Sequence, residues 1–146
     1  MKSTATAVWQ GALKDGTGKI SAAGGAFTDT PYNYGKRFEG ATGPGTTPEE
    51  LIAAAHASCF SMALSAELGK AGFTPHQIRT EAVVTLKPVD GKPTVTGSHL
   101  TTRVRIDGID DAKFQEIAAG AKAGCPISRL LDTEITLDAA LTDEAA

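Results

Sequence analysis

The chain has 146 residues and a formal net charge of −3, enough length to bury one hydrophobic core as a single domain covering residues 1–146. Its mildly acidic balance and 5% aromatic content do not match a nucleic-acid-binding protein. No apolar stretch follows Met1, and the longest uncharged run is expected to be too short for a bilayer, which needs ~20 apolar residues. The sequence therefore predicts a soluble cytoplasmic protein.

The first third of the chain is predicted to form short strands. Thr4–Trp9 and Gly18–Ala22 flank an Asp15-Gly16 pair, which is typical of a hairpin. A third strand is expected near Tyr34–Glu39. The glycine- and proline-rich segment Gly40–Thr46 is then a loop by composition.

A long helix is predicted to follow this loop. Thr47 suits its N-cap, Pro48 its first turn, and Glu50 completes a Thr-x-x-Glu capping box. From Leu51 to Glu67 the residues are small or apolar on every face. A helix of this composition is expected to be buried.

Two alternating strands follow the helix, which is expected to end near Gly69 or Gly72. Ile78–Lys87 and Leu100–Ile106 alternate apolar and polar residues, with a turn at Asp90–Pro93. The two segments therefore predict a hairpin with one buried face.

The last third predicts two helices and a strand. A helix capped by Asp110 or Asp111 carries an apolar stripe of Phe114, Ile117, Ala118 and Ala121. Cys125 would then cap a short helix over Ile127–Leu131, and a strand covers Ile135–Leu141. The predicted order is β-β-β-α-β-β-α-α-β, an α+β fold.

Two cysteines are the main candidates for chemistry, as a structural disulfide, part of a metal site or a redox pair. Cys59 lies in the apolar helix, where free cysteine is often simply buried. Cys125 at a helix start would feel the positive end of the helix dipole, which favours a thiolate. His56 could support a Cys59 thiolate if charged, but a buried histidine usually stays neutral, so a core hydrogen-bonding role is expected.

The segments around the two cysteines carry a resemblance to a known family: Lys36–Gly40 with Thr47–Leu64, and Ala121–Ser128 followed by Glu134–Leu137. They are similar to the first and second cysteine motifs of the OsmC family, which are osmotically inducible thiol peroxidases. The likeness covers almost the whole chain. The organic hydroperoxide resistance proteins are the sister subfamily, which the segment around His56 resembles less.

The resemblance implies an intertwined homodimer with a buried central helix and mixed or antiparallel sheets built by both chains. By the same resemblance, Cys59 matches the peroxidatic cysteine and Cys125 the resolving one. Arg37 matches the arginine that supports the thiolate, and Glu49 the glutamate that orients it. The implied activity is reduction of organic hydroperoxides, and of hydrogen peroxide less well, in oxidative and osmotic stress.

The resemblance further implies a Cys59 sulfenic acid, a Cys59–Cys125 disulfide and an external dithiol reductant, for which a lipoyl group is a candidate. No flavin, haem or nicotinamide motif is visible, so no cofactor is expected. Phe60 and Met62 are expected to line an apolar pocket for the peroxide.

The spacing of Glu49 and Cys59 adds a hypothesis about assembly. Ten residues (59 − 49) on one straight helix correspond to ~15 Å along its axis. The two side chains could not then share a site within one chain. We therefore expect each site to draw on both chains of a dimer.

Three other readings use the same residues. Cys59, Cys125 and His56 could ligate zinc, although no Cys-x-x-Cys or His-x-x-His spacing is present. A non-catalytic dimer could use the disulfide as a redox sensor. A cysteine hydrolase is also conceivable, but His56 on the same helix is poorly placed as a base and no third orienting group is evident.

Overall fold

The computed structural model of the chain describes residues 1–145 and confirms an α+β fold. Its contacts group into two compact units, Met1–Leu51 and the part from Ile52 onward. The single domain spanning 1–146 stays a prediction. In chain order the elements are β1 (Ala5–Gln10), β2 (Thr17–Ala22), β3 (Thr30–Tyr32), α1 (Tyr34–Phe38), α2 (Pro48–Lys70), β4 (Gln77–Val89), β5 (Lys92–Arg105), α3 (Asp111–Gly124), α4 (Pro126–Leu130) and β6 (Glu134–Leu141).

The first unit contains an antiparallel sheet in the order β1-β2-β3. The first two strands were predicted correctly. Their connection is longer than a two-residue hairpin turn, since β1 ends at Gln10 and β2 begins at Thr17. Within this connection the N–H of Gly16 bonds to the carbonyl of Ala12 at 2.7 Å. All six residues of β1 are exposed in the single chain.

The strand predicted near Tyr34–Glu39 is wrong. The third strand lies earlier, at Thr30–Tyr32, and residues 34–38 form the short helix α1. The cause is Asn33, whose side chain accepts a 2.8 Å hydrogen bond from the N–H of Lys36 and so starts a helical turn.

The start of α2 follows the prediction in part. The Thr47 hydroxyl accepts the N–H of Glu50 at 3.1 Å, as a capping residue should. The Glu50 carboxylate does not complete the box in the usual way, since it accepts a 2.7 Å bond from the Thr46 hydroxyl. The helix ends at Lys70, close to the predicted glycines.

Within one chain, the burial of α2 is confined to one stripe. The fully buried side chains are His56, Phe60, Leu64 and Leu68. The opposite stripe, Ala54, Ser58, Met62 and Ala66, is exposed, with Met62 at 76%. A helix that is apolar on all faces thus leaves one of its stripes exposed in a single chain.

The length of α2 corrects one expectation. At 23 residues, with a mean hydropathy of 1.4 over its best window, it is long and apolar enough to cross a membrane. The expectation that this run is too short for a bilayer is therefore wrong. The core helix of a globular domain has the same length and composition, so this property alone does not indicate a membrane span.

The second unit contains a mixed sheet in the order β4-β5-β6, with β4 and β5 antiparallel and β5 and β6 parallel. The β4–β5 turn is limited to Asp90 and Gly91, whose φ angles are 51° and 75°. Two successive positive φ values match a type I′ hairpin turn, which a glycine in second position favours. The predicted Lys92 and Pro93 therefore belong to β5 and not to the turn.

The core of this unit lies between the sheet and the helices α2 and α3. Asp110 caps α3 by accepting the N–H of Lys113 at 2.8 Å, as predicted. The predicted apolar stripe of α3 is buried, and α3 and α4 make the connection between parallel strands β5 and β6. The core residues are Phe60, Leu64, Leu68, Leu100, Val104, Phe114, Ile117, Ala118, Ala121 and Cys125.

Candidate active site

Arg37 and Glu49 form the first part of the candidate site. Arg37 lies on α1 and Glu49 in the first turn of α2. The guanidinium donates from Nη2 at 2.7 Å and from Nε at 3.2 Å to Oε1 of the carboxylate. The Arg37 side chain is 37% exposed and that of Glu49 is 11% exposed. Glu49 therefore fixes the guanidinium in a forked pair while leaving part of it open to another group.

Aromatic and apolar groups surround this arginine. Its guanidinium carbon lies 5.1 Å from the centre of the Phe38 ring, a cation–π distance. A cavity of about 280 Å³ adjoins it, lined by Trp9, Leu13, Tyr32, Asn33, Tyr34, Arg37, Phe38 and Pro48. Most of this lining is hydrocarbon, and the guanidinium is its charged group.

Phe60 and Met62 do not behave as expected for pocket residues. Phe60 is fully buried in the core cluster, and Met62 is 76% exposed on the uncovered stripe of α2. The expectation that they line a pocket therefore finds no support in the single chain.

The two cysteines form the second part of the site. They are 66 positions apart (125 − 59), and the structure brings them to the same core cluster as free thiols. Cys125 is fully buried within this cluster, and Cys59 is half-buried against it.

The two sulfurs differ in pKa. Burial is the largest influence on Cys59 and raises its pKa; the backbone N–H of Ile127 lowers the pKa, and the contact with Cys125 raises it further. Burial also acts to raise the pKa of Cys125. The N–H of Ser128, the Cys59 thiol and the Ser128 hydroxyl together outweigh burial and hold the pKa of Cys125 below its ordinary value.

The chain positions Cys125 between two helices, at the predicted start of α4. Its N–H bonds to the Ala121 carbonyl at 2.9 Å at the end of α3, and its carbonyl accepts the N–H of Arg129 at 3.0 Å at the start of α4. The sulfur makes no ideal capping hydrogen bond, yet the N–H groups of Ile127 and Ser128 are close enough to lower its pKa. The backbone of Cys125 is therefore held on both sides.

Cys59 and Glu49 lie on the same uninterrupted helix, α2. Their ten-residue separation still corresponds to ~15 Å along the axis. Cys59 also has a raised pKa, so its own surroundings do not activate it. That each site is shared between two chains stays a prediction.

His56 is a core histidine, as expected. Its Nδ1 lies 2.7 Å from Oγ of Ser98 and its Nε2 lies 2.8 Å from Oγ of Ser128. The ring is fully buried, and burial lowers its pKa, so it is neutral and does not act as a cation beside Cys59. No local pattern points to the two serines, which lie 42 and 72 positions from the histidine.

The same geometry bears on the competing readings. Within residues 1–145, no three His, Cys, Asp or Glu side chains are grouped closely enough to hold a metal ion, which argues against the zinc site. Both ring nitrogens of His56 bond to serine hydroxyls, so it is not aimed at a thiol as a hydrolase base would be.

Comparisons with known proteins agree with the resemblance found in the sequence. The family model described as "OsmC-like protein" matches residues 40–140. Peroxiredoxin OsmC of Escherichia coli (strain K12) is 51% identical over 130 residues, covering 89% of this chain and 90% of that protein. An organic hydroperoxide resistance protein of Xanthomonas axonopodis pv. citri is 29% identical over 115 residues, 78% of each chain.

The fold is also found among solved structures. The solved structure of an OsmC-like protein of unknown function from Vibrio cholerae O1 biovar eltor superposes with a TM-score of 0.74 at 18% identity, covering 96% of this chain and 99% of that one. The family model and the 51% identical relative each span well over half of the sequence. The chain therefore belongs to the OsmC family.

Proposed function

We propose that this chain is a thiol-dependent peroxidase that reduces organic hydroperoxides in oxidative and osmotic stress defence. The observation that carries the proposal is that two free thiols, 66 positions apart in the sequence, lie at the same core cluster. The 51% identical relative is named a peroxiredoxin, and a more distant one is named for organic hydroperoxide resistance. Cys59, Cys125, Arg37 and Glu49 are the proposed site residues.

The reaction runs through two covalent steps on sulfur. The Cys59 thiolate attacks the distal peroxide oxygen, the O–O bond breaks, and the leaving alkoxide takes up a proton to depart as alcohol. Cys59 is left as a sulfenic acid. The Cys125 thiolate then attacks the Cys59 sulfur, forming the disulfide and releasing hydroxide, which is protonated to water. An external dithiol supplies two electrons and two protons by exchange and restores both thiols.

The roles of the two cysteines follow from their surroundings. Cys125 is buried and has a lowered pKa, which suits a nucleophile that attacks the Cys59 sulfenic acid within the protein. Cys59 is the more accessible sulfur, but its pKa is raised, so it needs a cation to become a thiolate at neutral pH. Arg37 is the proposed cation, and Glu49 holds its guanidinium in place.

A homodimer would bring these groups together. Glu49 and Cys59 are ~15 Å apart along α2, so the Arg37–Glu49 pair of a second copy is proposed to lie against Cys59. The exposed stripe of α2 carries Met62, and the exposed strand β1 carries Val8 and Trp9, apolar side chains that a second copy could cover. Intertwining of the two chains would complete both sites by symmetry.

The proposed substrate class follows from the setting of Arg37. The cavity beside it is lined largely by aromatic and aliphatic side chains, which would bind the organic part of a hydroperoxide, while the guanidinium faces the peroxide oxygens. Hydrogen peroxide has no apolar part to bind and is expected to react less well. The reductant is proposed to be a dithiol, with a lipoyl group as the first candidate, in the reducing cytoplasm.

A steady-state assay tests the function. The purified protein is given an alkyl hydroperoxide or hydrogen peroxide, with dihydrolipoamide or a monothiol as reductant. The expected result is multiple turnover that is fastest with the alkyl hydroperoxide and the dithiol. A protein that oxidises once and then stops with every reductant would instead be a redox sensor.

Two single variants test the cysteine assignment. Cys59→Ser is expected to abolish peroxide consumption, because no other residue is proposed to attack the peroxide. Cys125→Ser is expected to consume one equivalent and then stop with the dithiol, because the sulfenic acid has no internal partner. Full multiple turnover by the Cys59 variant would disprove the mechanism.

A further inference from the structure

Two neighbouring cavities of the first unit share the ring of Tyr32 as part of their lining. One is the cavity of about 280 Å³ beside Arg37. The other, of about 200 Å³, is lined mainly by apolar side chains, among them Ala7, Ile20 and Leu51. Tyr32 and Pro48 line both cavities, and all lining residues belong to Met1–Leu51. These two side chains therefore form the partition between the two spaces.

The ring of Tyr32 is held in this partition by its neighbours. Tyr32 on β3 pairs with Gly18 on β2, and a Cβ at Gly18 would collide with the ring, so the ring lies directly against the strand backbone. The centre of the ring is 5.6 Å from that of the Trp9 ring, at an angle of 43°. The Trp9 indole is itself fixed, because its Nε1–H donates to the Gly11 carbonyl at 2.9 Å. Close packing of this kind leaves the Tyr32 ring little room to withdraw.

The partition leaves the cavity beside Arg37 small. Small-molecule sites usually measure about 300–1,000 Å³, so a cavity of about 280 Å³ lies at the lower end of this range. If each carbon takes the volume of a water molecule, roughly 30 Å³, the cavity has room for about nine carbons. The space behind Tyr32 would hold about seven more. The position of one aromatic ring therefore decides how long an apolar group can be and still be covered.

We propose that Tyr32 is a specificity-determining residue that limits the organic group recognised beside Arg37 to about nine carbons. Compact alkyl and aromatic hydroperoxides are then covered in full, whereas the end of a longer chain stays in water. This inference rests on the proposed function, because it takes the cavity beside Arg37 as the site of the peroxide. The length limit itself is a property of binding and can be measured without turnover.

The limit has a quantitative signature in a series of chain lengths. Each CH2 group that moves from water into an apolar cavity tightens binding about fourfold. A CH2 group that remains in water adds nothing. Affinity should therefore rise by this factor for each added carbon until the cavity is full, and then stay constant. Without the Tyr32 ring the two cavities join, so the rise should continue beyond this point.

The first experiment measures the binding of straight-chain primary alcohols, from butanol to dodecanol, to the reduced wild-type protein. Trp9 lines the cavity and is the one tryptophan of the chain, so its fluorescence reports occupancy. The expected result is about fourfold tighter binding per carbon up to nonanol and no further gain from nonanol to dodecanol. A continued gain to dodecanol, or alcohols that leave the fluorescence of Trp9 unchanged, would overturn the proposal.

The second experiment repeats the series with Tyr32→Ala, with Ala7→Phe, and with both substitutions together. Ala7 lines the second cavity and not the first, so Ala7→Phe fills the space behind Tyr32 from the other side. Tyr32→Ala is expected to bind dodecanol more tightly than nonanol, by about fourfold per added carbon. This gain should be smaller in the double variant, and Ala7→Phe alone should keep the wild-type limit. No gain in Tyr32→Ala, or an equal gain in the double variant, would refute the partition.

The same variants are then compared in peroxide turnover. The ratio of kcat/KM for dodecyl hydroperoxide to that for nonyl hydroperoxide should be close to one in the wild type and should rise in Tyr32→Ala. Turnover without any length limit would contradict the inference and leave the peroxidase function standing. A length limit in alcohol binding without turnover would count against the proposed function alone. If Tyr32→Ala does not fold, the wild-type alcohol series still decides whether the limit exists.

Discussion

Mixing two inactive variants would test whether each site is built from two chains. One chain carries Cys59→Ser and the other Arg37→Met, which keeps an unbranched apolar stem but removes the guanidinium that Glu49 holds at 2.7 Å. Because Glu49 lies ~15 Å along α2 from Cys59, the guanidinium it holds is not expected to serve the Cys59 of its own chain. Each variant alone is then inactive, but a mixed dimer has one site in which both residues are intact.

The expected recovery follows from counting sites in a two-fold dimer. After random exchange about half of the dimers are mixed, and one of the two sites in each is intact, so activity returns to about a quarter of the wild-type value. If Arg37 and Cys59 of the same chain formed the site, both sites of the mixed dimer would be broken, and no activity would return. The assay is peroxide consumption after the chains are exchanged in mild denaturant and refolded together.

A chain that carries both substitutions provides the matched control. Mixed with wild-type chains, it leaves no intact site in the mixed dimers of a shared-site enzyme, so only the wild-type dimers work, about a quarter of all dimers. In an enzyme whose sites each lie in one chain, every wild-type chain keeps its site and about half of the activity remains. No recovery in the first mixture together with about half of the activity in the control mixture, with dimer exchange verified by mass spectrometry, would refute the shared site.

Three further predictions concern stability. A Cys59–Cys125 disulfide closes a loop of 66 residues (125 − 59), so the oxidised chain should be about 4 kcal/mol more stable than the reduced one on the chain-entropy model, as measured by urea unfolding of both forms. Gly45 has a φ of 123°, and a Cβ there would lie 2.4 Å from the carbonyl oxygen of Pro31, so Gly45→Ala should cost roughly 2 kcal/mol in the same experiment, and an unchanged midpoint would contradict the contact. Burial lowers the pKa of His56 below 6.5, so the unfolded chain takes up a proton at a higher pH than the folded chain does. The free energy of unfolding should therefore decrease as the pH is lowered below 6.5, and a folded His56→Gln variant should lose this contribution.

Local signals in the sequence predicted most of the elements but not all of their details. The N-caps Thr47 and Asp110 were found because a capping side chain bonds to an N–H three residues on. The same signal at Asn33 marks α1, but the segment Tyr34–Glu39 that follows it is predicted as a strand. The partner of Glu50 was not predicted. Its carboxylate accepts a hydrogen bond from the hydroxyl of the neighbouring Thr46, a contact that the capping-box pattern does not include.

Only the part of the candidate site that belongs to the family's cysteine motifs was predictable from the sequence. The assignment of Cys59, Cys125, Arg37 and Glu49 came from resemblance to a family. In the structure Arg37 contacts Glu49, and the two cysteines lie at the same core cluster. The bridge from His56 to two serines could not be predicted, because each serine comes from a distant element, and Ser is among the commonest surface residues.

The uncovered face of α2 has a consequence for how the protein works in a cell. Met62 is 76% exposed on this face, and every residue of β1 is exposed. If a second copy covers these surfaces, dimer formation both buries them and places Arg37 beside Cys59. Activity per chain would then fall on dilution below the dimer dissociation constant, although no residue of the site has changed. The number of copies per cell, and not only the peroxide level, would set when the enzyme begins to act.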